Sequence, residues 1–159
     1  DMTWQMEEIG TEWNGDGVVN GLGGSVTLTS QVYEEGLHLS GLPTLHLDVA
    51  TQACNGGQIF ATLYDDTIDL RLGHATMDIR YRDGGYDANP VAPFSSYTML
   101  MEFNPLDVIV PSGHSLRIEL TETGEDYLPG PCATNVLGGL SIEGGTIGLP
   151  LIDLSLIHI

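Results

Sequence analysis

Lysine is absent from this 159-residue chain, and Arg71, Arg80, Arg82 and Arg117 are its four basic side chains besides histidine. Against them stand 22 aspartates and glutamates, for a formal net charge of -18. A surface this acidic repels nucleic acid and anionic lipid, since both need Lys or Arg to displace counterions, so neither is expected as a partner. A P-loop is excluded by the missing lysine, and GLGGSV at Gly21 does not have the G-x-G-x-x-G spacing of a dinucleotide cradle. The charge suits solubility in a saline or secreted setting, and it would also attract cationic or calcium-bearing partners.

Long apolar runs are missing as well. Hydrophobic residues make up 42% of the chain, yet no run approaches the ~20 residues of a membrane span. The opening DMTWQMEEIG has neither a basic n-region nor an apolar h-region, so no signal peptide is expected there. Asp1 precedes Met2, and the chain is expected to begin partway through a longer polypeptide. The compartment stays open, with export as the working expectation.

The parts needed for hydrolysis are absent too. There is no G-x-S-x-G elbow to strain a serine onto a turn. Ser115, in Gly113-His114-Ser115, lacks the second glycine and leads directly into a strand. None of His38, His46, His74, His114 and His158 has a partner at triad or metal spacing, and no H-E-x-x-H occurs. No catalytic and no cofactor-binding residue is therefore assigned. His74 and His114, each after a glycine at a strand opening, are expected to bond loop backbone.

Helical periodicity is the last absence. No dozen residues hold an i, i+3, i+4, i+7 apolar stripe, and 21 glycines and 8 prolines oppose long helices. What is present is alternation. Val26 and Leu28 share a face in Ser25 to Ser30, as do Leu45, Leu47 and Val49 in Thr44 to Ala50. Ile59, Ala61 and Leu63 alternate with Phe60, Thr62 and Tyr64, a strand expected to be buried on both faces. Met77, Ile79 and Tyr81 follow, then Met99, Met101 and Phe103, then Val108 and Val110, then Leu116, Ile118 and Leu120, with a last strand at Leu149 to Ile152. Turns such as NGDG, DGG and PSG separate them. Many short strands of this kind imply an all-β antiparallel sandwich or jelly roll.

Two cysteines, Cys54 and Cys132, lie in glycine-rich loops. They are a disulfide candidate that would close a long loop, worth about 4 kcal/mol in the chain-entropy model; two free thiols are the alternative. For metals, hard oxygen ligands point to a structural Ca²⁺, with Asp65, Asp66 and Asp69 in one turn and Asp83, Asp87 and Asn89 in another. Neither turn matches an EF-hand, and solvated acidic turns are the ordinary outcome at this charge. No other cofactor is implied. Trp4, Trp13, Tyr33, Tyr64, Tyr81, Tyr86, Tyr97 and Tyr127 are available to a sugar platform, although strand aromatics more often serve the core.

Five segments in order resemble the C-terminal domain of the Xaa-Pro dipeptidyl-peptidase, cocaine esterase and α-amino-acid ester hydrolase group of serine hydrolases. They are LSGLPTLHLDVAT (Leu39 to Thr51), QIFATLYDDT (Gln58 to Thr67), LGHATMDIRYRD (Leu72 to Asp83), FNPLDVIVPSGHSLRIELTET (Phe103 to Thr123) and GGTIGLPLI (Gly144 to Ile152). Gly73, His74, Gly113, His114, Leu116 and Arg117 carry the signature, the Gly-His-x-Leu-Arg of the fourth segment being its most specific mark. The resemblance implies a jelly roll of the galactose-binding-like type. It also implies an accessory domain packed on an α/β-hydrolase catalytic domain of the same polypeptide, which holds the triad, and it leaves homo-oligomerisation of the parent enzyme open. The alternative is a carbohydrate-binding or structural sandwich of a secreted protein. The family's Phe-Pro after the Gly-His strand is replaced here by Tyr127-Leu128-Pro129. One domain is expected: a lead-in with first strands over 1–36, the jelly-roll core over 37–152, and a tail over 153–159. That tail, ending LSLIHI, resembles translated sequencing-adapter sequence, and its His158 is given no role.

Overall fold

Alternation along each segment becomes a strand with one buried row, because successive side chains point to opposite faces of a sheet. The computed structural model describes residues 2–5, 14–15, 17–54, 56–124, 132 and 138–152. Twelve strands cross these residues: β1 (Met2–Gln5), β2 (Asn14–Gly15), β3 (Val18–Val19), β4 (Val26–Thr29), β5 (Leu37–Gly41), β6 (Thr44–Thr51), β7 (Gln58–Asp65), β8 (Leu70–Asp78), β9 (Ser96–Glu102), β10 (Leu106–Val110), β11 (Leu116–Thr121) and β12 (Leu140–Leu149). No α-helix occurs among the described residues, and none is long and apolar enough to cross a membrane.

The first sheet runs β1-β12-β6-β9, with β3 also on β12; the second runs β2-β4-β11-β7-β8, and β10-β5 form a separate ribbon. Every pairing is antiparallel. Apart from β7 and β8, which are joined by one tight turn, and the inserted ribbon, the long strands alternate between sheets from β4 to β12. The orders β3-β12-β6-β9 and β4-β11-β7-β8 are those of a jelly roll. The ribbon joins the first sheet through the bridge between Leu39 and Leu151. The all-β sandwich expected from the sequence is the fold.

Between the sheets lie Leu45, Leu47, Val49, Met99 and Ile147 from the first and Val26, Ile59, Ala61, Leu63, Leu116, Ile118 and Leu120 from the second, each buried. At about 25 cal/mol per Å² of apolar area these rows supply the main favourable term of folding. The other face of β7 is covered too, since Phe60 and Thr62 are buried.

Three boundaries differ from the sequence reading. β8 opens at Leu70, not at Gly73, because the tight turn Asp66 to Asp69 returns the chain at once and a bulge at Leu72 keeps it paired with β7. It stops at Asp78, whose carboxylate accepts from the Arg80 amide at 2.9 Å and starts a 3₁₀ turn over Ile79–Tyr81, so Ile79 and Tyr81 are not strand residues. β12 begins at Leu140 and ends at Leu149, where Pro150 has no amide hydrogen to continue the ladder. Trp13, Tyr127 and the 153–159 tail lie outside the described residues.

Candidate functional site

The outer face of the second sheet carries a connected set of aromatic, charged and hydroxyl side chains. Along β7 the side chains Phe60, Thr62 and Tyr64 point outward in turn. In register beside Thr62 stand Glu119 of β11 and His74 of β8. Arg117 stands beside Tyr64, its guanidinium carbon 4.3 Å from the ring centroid. Phe60 meets the His74 ring at 5.5 Å between centroids and lies under Gly124, where a Cβ would come within 2.4 Å of the ring. Between them runs a cleft of about 280 Å³ lined by Phe60, Thr62, Tyr64, Arg71, Glu119, Thr121, Thr123 and Gly124.

Arg117 organises one end of this face. Its Nη1 donates to Asp66 Oδ1, Nη2 to Asp69 Oδ1 at 2.6 Å and Nε to Glu119 Oε1 at 3.1 Å. Burial acts to lower the guanidinium pKa, but the bonds to Asp69 and Asp66 and the field of Glu119 outweigh it and raise the pKa above the ordinary arginine value. Tyr64 is pushed up as well, by burial first and then by the Glu119 carboxylate.

The two Gly-His pairs do different work. Gly73 is needed for close approach, since a Cβ there would sit 2.7 Å from Leu106 Cδ2. His74 clasps the turn after β9, its amide donating to Asn104 Oδ1 at 2.8 Å and its carbonyl accepting from the Asn104 amide at 3.1 Å. It thus lies inside β8 rather than at its opening. Gly113 turns the chain at φ +80°, the left-handed region that glycine enters without penalty. His114 then pairs with Tyr33, whose amide donates to the His114 carbonyl at 2.8 Å. Contrary to the sequence reading, its imidazole bonds no loop backbone among the described residues. Nδ1 meets Asp65 Oδ2 at 2.7 Å, and the Asp65 side chain is almost fully buried.

His114 and Asp65 have the geometry of the base and orienting acid of a hydrolase. No serine, threonine or cysteine side chain bonds His114 among the described residues, so the pair would be two of a triad's three members with no third among them. Asp65 is turned to His114, and Asp66 and Asp69 are turned to Arg117, so the three calcium candidates do not converge on a shared ion. In the other turn Asn89 Nδ2 donates to Asp83 Oδ2 at 2.6 Å. Among the described residues no group of three His, Cys, Asp or Glu could hold a metal. Cys54 and Cys132 form a disulfide with 6.2 Å between Cα atoms.

Sequence reasoning missed the Asp65–His114 pair because its members are 49 residues apart. It also missed the cleft, whose only linear signal is the outward row of β7.

The strand orders and the buried rows between the two sheets define a jelly-roll β-sandwich. The model of the X-Pro dipeptidyl-peptidase C-terminal non-catalytic domain matches residues 19–134, and the chain belongs to that family. No curated protein matches in sequence. An α-amino acid ester hydrolase structure superposes with TM-score 0.66 at 15% identity, over 80% of this chain and 25% of that one. An aminopeptidase from a marine sediment Thaumarchaeota archaeon gives 0.66 at 13%, over 81% and 26%. A CocE/NonD family hydrolase from Staphylococcus aureus gives 0.64 at 11%, over 95% and 36%. At these identities the likeness is one of fold. The chain spans about a quarter to a third of those structures.

Proposed function

We propose that this domain is the accessory C-terminal jelly roll of a serine hydrolase of the X-Pro dipeptidyl-peptidase or acyl ester/amide type. It packs on an α/β-hydrolase catalytic domain of the same polypeptide, stabilises it, and helps to form the active-site entrance or subunit contacts. The family match over residues 19–134 carries the reading. The Asp65–His114 pair is consistent with it: the pair braces the turn before β11 against the end of β7, and among the described residues no hydroxyl or thiol bonds the second imidazole nitrogen.

The purified chain is expected to show no turnover of an Ala-Pro chromogenic anilide or of a p-nitrophenyl ester. Hydrolysis that survives purification and disappears on His114→Ala would overturn the proposal. Coding sequence upstream of Asp1 is a second check. A G-x-S-x-G elbow followed by an aspartate and a histidine is expected there, and a lectin or a repeat array in its place would sink the reading.

A further inference from the structure

We propose that the loop between β8 and β9 docks this domain onto the catalytic domain of the same polypeptide. Tyr86, at the tip, enters an apolar socket there that is rimmed by arginine or lysine. This contact surface belongs to the accessory-domain reading and rests on it. Among the described residues, every aromatic side chain that stands exposed lies on this one connection: Tyr86 fully, Phe94 to 77% and Tyr81 to 38%. The other exposed large apolar side chains are aliphatic and lie on other turns and strands. Single exposed aliphatics are ordinary on a protein surface, whereas exposed aromatics gathered on one loop mark a contact.

The loop is built to hold its tip in place. Ile79 is buried in the core, and the Asn89 amide donates to the Arg80 carbonyl at 2.7 Å, closing the base. Arg82 lies across that base. Its Nη1 donates to the Ile79 and Asn89 carbonyls at 3.1 Å each, and its guanidinium carbon is 4.3 Å from the Tyr97 ring centroid. Beyond these bonds residues 83–90, Asp-Gly-Gly-Tyr-Asp-Ala-Asn-Pro, are all exposed. A Cβ on Gly84 or Gly85 would meet nothing within 4 Å. Tyrosine beside glycine and asparagine is the composition of antibody contact loops, where the ring supplies contact area with few torsions to freeze. A base already closed by hydrogen bonds lowers the ordering cost of binding. At the far end of the connection Phe94 adopts φ +52°, a region that side chains enter at a cost. An exposed ring on such a backbone does little for the isolated domain, and strained positions of this kind gather at functional sites.

Shape and charge select the partner. Small ligands sit in concavities, and this loop projects, so its complement is a concave surface on another folded unit. Arg80 is committed to the Asp78 carboxylate by bonds of 2.9 and 2.6 Å, and Arg82 to its own loop. The charges left facing outward are Asp83 and Asp87, which flank Tyr86 in sequence and are both exposed. A socket with arginine or lysine on its rim complements them. Anionic lipid does not, nor does a second copy of a chain whose net charge is -18. In the solved relatives this fold accounts for 25%, 26% and 36% of the chain. On the accessory-domain reading the remainder supplies the socket at high effective concentration.

The test compares the isolated chain with the full polypeptide expressed from the gene extended upstream of Asp1. Hydrogen exchange at the amides of residues 83–88 is expected to be at least about tenfold slower in the full polypeptide. Tyr86→Ala is expected to bring that ratio below about threefold, Tyr86→Phe to keep most of it, and Asp87→Lys to reduce it. Because the Tyr86 side chain is fully exposed, Tyr86→Ala should leave the isolated chain's urea midpoint unchanged. The proposal is overturned if the 83–88 amides exchange equally fast in both proteins, or if Tyr86→Ala leaves the protection intact. Dimerisation of the isolated chain in sedimentation, abolished by Tyr86→Ala, would assign the loop to a second copy and overturn it as well. An upstream sequence without a hydrolase ends both this proposal and the accessory-domain reading. A hydrolase there, with the loop amides unprotected, ends only the docking loop.

Discussion

Arg117 ties the β7–β8 turn to β11, because Asp66 and Asp69 come from that turn and Glu119 from the arginine's own strand. An ammonium cannot reproduce a planar fork that serves three carboxylates and lies on an aromatic ring. Arg117→Ala is therefore expected to lower unfolding free energy in urea by about 2 kcal/mol, discounted for the exposure of Asp69. Arg117→Lys should recover less than half of that. A second prediction concerns alkali. Burial raises the Tyr33 phenol above its ordinary value, and Tyr64 is raised as well, by burial first. A raised folded-state pKa means that the unfolded chain loses its proton first. The contribution of each tyrosine is thus whole below about pH 10, the unfolded value, and is lost as pH rises through the folded value. Chemical denaturation between pH 8 and 11.5 should show this decline, and Tyr33→Phe should make it shallower.

Among the elements, β12 depends on a backbone approach that only glycine permits. Gly139, immediately before it, has φ +96°, and a Cβ there would lie 2.2 Å from the Val19 carbonyl oxygen. Gly139→Ala combines positive-φ strain with a clash against main chain, which cannot rotate away as a side chain can. A loss of about 3 kcal/mol is expected, with β3–β12 amides losing hydrogen-exchange protection first. Gly84→Ala is the control, with φ +76° and nothing within 4 Å, and should cost about 1 kcal/mol. The same contrast explains what the sequence revealed. Rows such as Leu45, Leu47 and Val49 were legible because period-2 alternation is local. The 3₁₀ turn over Ile79–Tyr81 was hidden because Met77, Ile79 and Tyr81 keep that alternation while the Asp78 cap ends the strand. The cleft was hidden because Thr62, Glu119 and His74 come side by side only through pairing register.

At the scale of the whole molecule, the disulfide bridges 78 residues of sequence and attaches Cys132 to the loop after β6. Chain-entropy reasoning gives it about 4 kcal/mol. The double variant Cys54→Ala/Cys132→Ala is expected to lose roughly that much in urea, without change in the β-sheet circular dichroism of the folded state. Net charge of -18 opposes compaction through self-repulsion, and the bond works against that tendency by limiting how far the unfolded chain can spread. Family membership is likewise a property of the whole, since the match runs across residues 19–134.

The position of β12 in the first sheet also sets a timetable. It lies between β6 on one side and β1 and β3 on the other, yet a ribosome delivers it last. Until residue 149 has emerged, β6 has β9 on one edge and an unfilled slot on the other, and β1 and β3 wait for a neighbour not yet made. Open strand edges of this kind recruit other chains. A chain stopped at residue 139 should therefore be insoluble or unfolded even though it contains eleven of the twelve strands found among the described residues. The final ten residues of sheet, supplied in trans as a peptide, are the smallest addition expected to rescue it.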